Sequence, residues 1–269
     1  MTKTVRDLMR PSLITCPAGT TLSQAAALLA RHGIHALVIS DPAGLAIGVL
    51  SDMDLMAGDW LIEDPARLAA KRVQTAGDFM TRPPATIDGD APPAEAAQRM
   101  RRDRLHRLIV TELDRPVGII AVSDLVHDLA PGIGVRQTVA EAMSRGLVVC
   151  REITPISGAA RAMRERRSRS VVVVDAHGRP LGVVTGFDLL PFCDGGDVSQ
   201  PVSTVMHPPI TILPTASLRE AAAMMLERHI HRLLVLDPAA PDGMPLGLIS
   251  TADIVVEMAW PYSSPRVGA

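Results

Sequence analysis

Four short stretches carry the same residue types at the same spacing: GVLSDMDLM at 48–56, GIIAVSDLV at 118–126, GVVTGFDLL at 182–190 and GLISTADIV at 247–255. In three of them a hydroxyl precedes an acid by three residues: Ser51 and Asp54, Thr185 and Asp188, Ser250 and Asp253. Ahead of an apolar run that spacing is a capping box, whose side chains satisfy the backbone N–H groups left open at a helix start. The same strand-to-helix turn presents free N–H groups and the positive end of a helix dipole, so it also suits an anionic phosphate. The second stretch departs from the pattern. It has Ala121 where the hydroxyl belongs, although Asp124 remains and Ser123 could cap the helix. Three complete positions and one weakened one are therefore expected.

A second set of residues comes from aligning the strands that precede these turns. IHALVI, LHRLIV, SRSVVV and IHRLLV place His35, His106, Arg169 and His231 at one equivalent position. A lone histidine beside a strand reads as a structural one. Arginine is expensive to bury unpaired, so a position that accepts either residue points to a partly open anionic cleft, with phosphate binding as its simplest role. Arg107 and Arg232 follow one residue on in the second and fourth copies, where Ala36 and Ser170 stand in the other two. The runs RMRRDRLHR (99–107) and RAMRERRSR (161–169) hold ten arginines near helix ends. They read either as solvated helix faces or as a positive field that favours polyphosphates over a monophosphate, or an acidic partner surface.

The elements that must hold these residues repeat as well. VRDLM, AGDFM, VAEAM and VSTVM end in Met9, Met80, Met143 and Met206 at nearly even steps, and the closing aspartates keep the same step. A unit of that length is too small for a stable core of its own, so units must pack in pairs. After each methionine come an extended apolar piece, a Thr/Ser-rich cap and an Ala-rich amphipathic helix: TTLSQAAALLARH, PPAEAAQRMRRD, ISGAARAMRERR and ASLREAAAMMLERH. A buried strand (ALVIS, RLIVT, SVVVV, RLLVL), a turn, a second strand ending in the glycine motif and a closing helix complete a β-α-β-β-α order. The pattern predicts an α/β (α+β) fold of four units at about 5–57, 76–130, 139–192 and 202–258. An extra segment, AGDWLIEDPARLAAKRVQTAGD, precedes the second unit, and PGIGVRQT at 131–138 marks a boundary between domains at 1–130 and 135–260.

Composition narrows the function classes. In 269 residues, 47% are hydrophobic but only 2% aromatic, so the cores are built from aliphatic side chains and platforms for stacking bases are nearly absent. With 27 basic against 29 acidic residues the formal charge is -2, which argues against general nucleic-acid or anionic-membrane binding. MTKTVRDLMRPS lacks the apolar core of a signal peptide, and no segment approaches a membrane span, so a cytoplasmic protein is expected. Cys16, Cys150 and Cys193 are too few and too scattered for a disulfide framework or a metal cluster and read as buried small hydrophobes. His32 with His35, and His229 with His231, lack a third metal ligand at convincing spacing. No nucleophile elbow, Walker loop or dinucleotide fingerprint occurs in proper context, so no catalysis and no required cofactor are expected.

Four such units, each closed by G-h-h-[S/T]-x-x-D, resemble cystathionine-β-synthase (CBS) domains over residues 5–258, and two in tandem resemble a Bateman module. The resemblance implies two Bateman modules that bind an adenosyl compound (AMP, ADP, ATP, S-adenosylmethionine or a dinucleotide) between paired units and regulate an effector protein. It further implies that the matching aspartate accepts hydrogen bonds from the ribose and that the matching Ser or Thr contacts ribose or phosphate. A carboxylate can take two donors from a cis-diol at once, which suits an acid there better than an amide. The expected nucleotide-binding set is thus Ser51, Asp54, Asp124, Thr185, Asp188, Ser250 and Asp253 with His35, His106, Arg107, Arg169, His231 and Arg232. The four units are expected to form a flat disc, within one chain or across a homodimer. The alternative is a structural or scaffolding protein whose turn motifs are helix caps and whose clefts stay empty.

Overall fold

A computed structural model of the chain describes residues 3–57, 66, 73–113, 115–129, 137–240 and 243–258. The boundary residues 131–136 and most of the extra segment lie outside the described residues. Each unit holds one three-stranded sheet in chain order, its first two strands parallel and its last two antiparallel. The strands are Thr15–Pro17, Ala36–Ser40 and Ala46–Ser51 in unit one, and Thr86–Asp88, Arg107–Glu112 and Arg115–Ala121 in unit two. They are Val149–Arg151, Ser170–Val174 and Pro180–Thr185 in unit three, and Thr211–Ile212, Arg232–Val235 and Gly247–Ser250 in unit four. The parallel step is made through a helix, as a right-handed crossover needs a covering element of that length. The mixed α/β class and the fourfold β-α-β-β-α order are as the sequence predicts.

The crossover helices Leu22–His32, Pro93–Asp103, Ile156–Arg166 and Leu218–Glu227 bury one stripe at the same four positions. The stripes are Leu22, Ala25, Ala26 and Leu29; Pro93, Ala96, Ala97 and Met100; Ile156, Ala159, Ala160 and Met163; and Leu218, Ala221, Ala222 and Met225. The spacing is that of one helix face, and the small alanine pair at its middle lets the helix lie close to the sheet. Thr21 and Ser217 start their helices with full capping boxes, through Gln24 and Glu220. The chain leaves the first helix through Gly33 at φ 61°, a left-handed conformation that costs glycine nothing. At the matching positions Arg104, Arg167 and His229 hold φ of 54°, 49° and 53°, which is uncommon for non-glycine residues.

The segment that opens each unit does not pack on its own sheet. Arg10 of unit one exchanges backbone hydrogen bonds with Ile119 of unit two at 2.9 and 3.0 Å, and Thr81 of unit two with Val49 of unit one at 2.8 and 3.1 Å. Units three and four repeat the exchange: Ser144 pairs with Leu248 at 2.9 Å in both directions, and His207 with Val183 at 3.0 and 2.9 Å. This crossing brings each repeated methionine onto the repeated glycine of its partner. A Cβ on Gly118 would lie 2.5 Å from Met9 Sδ, one on Gly182 2.8 Å from Met206 Sδ, and one on Gly247 2.9 Å from Met143 Sδ. Gly48 lies under Met80 in the same way. The glycine and methionine columns of the sequence are two halves of one contact.

Pairs of units then meet through their helices. One core joins Leu22, Leu29 and Leu55 of unit one to Ile156, Met163 and Leu189 of unit three. The other joins Met100, Leu108 and Leu125 of unit two to Leu218, Met225 and Ile254 of unit four. The exchanged segments therefore tie unit one to two and three to four, while the apolar helix faces tie one to three and two to four.

Two outcomes test this arrangement. The three atoms nearest the Cβ of Gly182→Ala all belong to the Met206 side chain, whereas that of Gly247→Ala lies 2.6 Å from the Ser144 carbonyl. Each should destabilise by about 1–3 kcal/mol. In double-mutant cycles Gly182 and Met206 should couple by about 0.5–3 kcal/mol, and Gly247 with Met143 much less, because the backbone obstruction stays; equal coupling in urea denaturation would contradict the contact. Separately, residues 1–130 expressed alone leave the unit-one and unit-two helix stripes uncovered and should self-associate. Sedimentation as a monodisperse monomer would show that the shared cores are not needed.

Candidate functional site

The four sheets surround a cavity of about 910 Å³ that all four units line. Its walls carry His35, His106, Arg169 and His231, with Arg107 and Arg232 beside them. These residues stand at the start of the central strand of each sheet, where the backbone turns inward, so the pseudo-symmetry of the fold brings all four to one place. The rings of His35 and His231, from units one and four, lie 5.6 Å apart, and that of His35 lies 5.0 Å from Phe187 of unit three.

Charge is crowded here. Burial first, and then Arg169 nearby, pushes Arg107 and Arg232 down to about 10, so both stay cationic at neutral pH. Burial and the surrounding guanidinium groups push His106 down to about 4; burial, His35 and Arg232 do the same to His231, which is exposed on the cavity wall. Both imidazoles are therefore neutral at pH 7. One carboxylate sits among them. Asp52 is 4% exposed, with Oδ2 2.9 Å from His35 Nδ1 and Oδ1 accepting from Arg169 Nη2 at 3.0 Å. Burial alone would push its pKa up, but the His35 hydrogen bond and the Arg169 charge outweigh that and hold it at about 2.

The hydroxyl–acid pairs form the caps that their spacing predicts. Asp54 Oδ2 accepts from the Ser51 backbone N–H and Oγ, both at 2.7 Å. Asp188 Oδ2 accepts from Thr185 N–H and Oγ1 at 2.7 and 2.8 Å, and Asp253 Oδ2 from Ser250 N–H and Oγ at 2.8 and 2.6 Å. In unit two the hydroxyl is missing, yet the Ala121 N–H still donates to Asp124 at 2.8 Å. Thus Oδ2 belongs to the helix cap and Oδ1 is the edge left for other donors. Thr185, Ser250, Asp124, Asp188 and Asp253 line the central cavity, together with Ala121. Ser51 and Asp54 are not among its lining residues; Asp54 lies within the field of Arg107, and burial pushes its pKa up as it does that of Asp253.

Two further sets emerge only in three dimensions. The residue after three of the four methionines meets the partner unit's aspartate: Arg10 Nε donates to Asp124 Oδ1 at 3.2 Å, Ser144 Oγ to Asp253 Oδ1 at 3.4 Å, and His207 Nε2 meets Asp188 Oδ1 at 3.0 Å. The M-R, M-S and M-H dipeptides were a readable column, but nothing local says that it belongs to the neighbouring unit. Asp52 is the other. Read along the chain it is an ordinary first-turn acid of the helix Asp52–Ala57.

Four paired units about one lined cavity define a tandem-repeat protein with a central pocket. The CBS domain family matches residues 5–59, 76–131, 139–194 and 202–259, and the chain belongs to that family. An uncharacterized protein of Methanocaldococcus jannaschii is 25% identical over 274 residues, which is 95% of this chain; the chain spans 62% of that relative's length. A CBS domain-containing protein of Dictyostelium discoideum is 34% identical over 127 residues, 45% of this chain and 88% of its own. A solved M. jannaschii protein, described as a proposed archaeal homologue of γ-AMPK, shares the fold with a TM-score of 0.81 at 18% identity, over 94% of this chain and 98% of its own.

The imidazoles give a pH signature. From pH 6.5 down to about 4 the unfolded chain binds protons that His106 and His231 refuse in the folded one, so stability falls through that window and levels below it. The Asp52 pKa is lowered too, so its contribution is likewise lost as pH falls, but only from 3.8 towards about 2. Urea midpoints should decline as pH is lowered through that window, and His106→Asn should flatten the decline; an unchanged slope would show that His106 titrates normally.

Proposed function

We propose that this chain is a non-catalytic regulatory protein that binds an adenine nucleotide (AMP, ADP or ATP) at its central cavity and passes occupancy on to a partner protein. The observation that carries the reading is the convergence in one cavity of the His35, His106, Arg169 and His231 column with the Oδ1 edges of Asp124, Asp188 and Asp253. Guanidinium groups with imidazoles suit phosphate, and the carboxylate edge outside the helix cap suits the two hydroxyls of a ribose, which take the place of Arg10, His207 or Ser144 there. The family implies the same class of ligand. Residues 1–130 and 135–260 act in this reading as two modules, with Ser51 and Asp54 holding a helix rather than the ligand. A cytoplasmic location, an effector protein and a homodimer belong to the same reading, and among the described residues no helix is long and apolar enough to cross a membrane.

A scaffolding role is the second reading, favoured by the contacts themselves: each hydroxyl, and both oxygens of Asp188 and Asp253, already have partners within the chain. Ligand binding separates the two. AMP, ADP or ATP should raise the melting temperature by mass action. Asp188→Ala and Asp253→Ala should each weaken binding by about 1.5–3 kcal/mol. Lower melting temperatures with unchanged affinity, or no response to any of the three nucleotides, would leave the scaffold.

A further inference from the structure

The strand-to-helix turn is built alike in all four units. The backbone N–H of Asp52, Val122, Gly186 and Thr251 donates to the carbonyl of His35, His106, Arg169 and His231 at 3.2, 3.0, 3.3 and 3.0 Å. Among these four equivalent positions only unit one carries a charge, and that charge points into the common centre.

We propose that Asp52 is a charge-selecting residue: its carboxylate takes the place of a ligand's phosphate against Arg169 and His35, and so limits the anionic charge that the cavity accepts. Both of its oxygens are occupied. Oδ1 accepts from Arg169 Nη2 at 3.0 Å and from the Met53 N–H at 2.9 Å, and Oδ2 meets His35 Nδ1 at 2.9 Å. A carboxylate so satisfied offers little to a ligand donor; it acts as an internal counter-ion. Arg169 comes from unit three, so the contact also joins the two halves of the chain across the cavity.

The remaining cations are not matched in this way. Arg107 and Arg232 line the same cavity, and among the described residues no carboxylate hydrogen-bonds to either. With Arg169 neutralised by Asp52, Arg107 and Arg232 are the two guanidinium groups left to meet a phosphate monoester dianion, beside the capped carboxylates of Asp124, Asp188 and Asp253. Without Asp52 a third guanidinium is released, and the centre matches a di- or triphosphate instead. Arg166 and Arg167 stand at the mouth of the cavity, exposed to water, where salt screens them. The ligand class that follows is one with the charge of a single phosphate ester. Its identity as a nucleotide rests on the proposed function, but the charge preference does not.

Calorimetry on the full chain at low salt, with inorganic phosphate and inorganic tripolyphosphate as probes, tests the inference. Asp52→Asn should tighten tripolyphosphate about tenfold and phosphate less, raising the ratio of the two affinities. Thr251→Asp, which adds a carboxylate at the equivalent position beside His231 and Arg232, should weaken both. An unchanged ratio in a folded Asp52→Asn overturns the inference, as does the absence of binding by either probe to wild type and variants. If Asp52→Asn fails to fold with Arg169 left unpaired, Thr251→Asp decides alone, and unchanged affinity there overturns it. Because the probes carry no adenosine, loss of an AMP response would remove the proposed function and leave this inference standing. Intact AMP binding with both variants silent would do the reverse.

Discussion

The fold depends on a close contact between residues of different units: a methionine laid on a glycine that has no Cβ to push it away. Any side chain at Gly118, Gly182 or Gly247 would enter the space of the methionine sulfur. The contact forces the opening segment of each unit across to its partner, where it adds a pair of backbone hydrogen bonds to the outer strand. That strand would otherwise present an open edge, and a covered edge is protected against unwanted pairing. Two units so exchanged are inseparable, yet their helix stripes still face outwards. Burying those stripes against a second exchanged pair closes the ring, and the ring has a hole. The cavity is thus a consequence of how the seams are made.

What fills the hole with charge is the position of one strand residue repeated four times. Three guanidinium groups from Arg107, Arg169 and Arg232 share the centre, and burial together with the Arg169 charge lowers the tendency of Arg107 and Arg232 to hold a proton. Burying like charges together is unfavourable, and the chain offsets it in two ways. Neutral imidazoles stand at His106 and His231, and Asp52 supplies a carboxylate. A buried ion pair of this kind contributes little net stability against an apolar replacement, but loss of one partner is damaging. An arrangement so expensive to hold is better explained by a ligand's charge than by packing, since Val or Ile would pack the same strand starts without penalty.

Much of this could be read from the residues. Short apolar runs bounded by turn residues gave the strands, an amphipathic Ala-rich pattern gave each crossover helix, and the hydroxyl–acid spacing gave the caps, because all three are local patterns whose partners lie within a few residues. The His35, His106, Arg169 and His231 column was legible because repetition aligns it. The exchanged segments were not legible: VRDLM reads as the start of unit one, although Val5 donates its N–H to Ala91 and is buried with the core of unit two. The pairing of cores between units one and three, and two and four, was hidden for the same reason, as all amphipathic stripes look alike along a chain. Asp52 was read past because a first-turn acid has a sufficient local explanation, while its partner Arg169 lies 117 residues away.

The double use of each aspartate follows from having two oxygens. Oδ2 is committed to the helix start, so removing the acid should loosen the turn whatever else binds there. Oδ1 is held by a residue of the partner's opening segment, and the strength of that hold differs: a charged Arg10 at Asp124, an imidazole at Asp188 and a long hydroxyl contact at Asp253. Burial pushes the pKa of Asp253 up, so its ionised form is kept at a free-energy cost in the folded chain. A ribose that takes Oδ1 must displace Arg10, His207 or Ser144, and each of these follows directly on a methionine seated on the partner's glycine. Under the proposed function, occupancy therefore acts on the seam between units, the contact on which the whole ring depends, and it acts most readily where the existing hold is weakest, at Asp253.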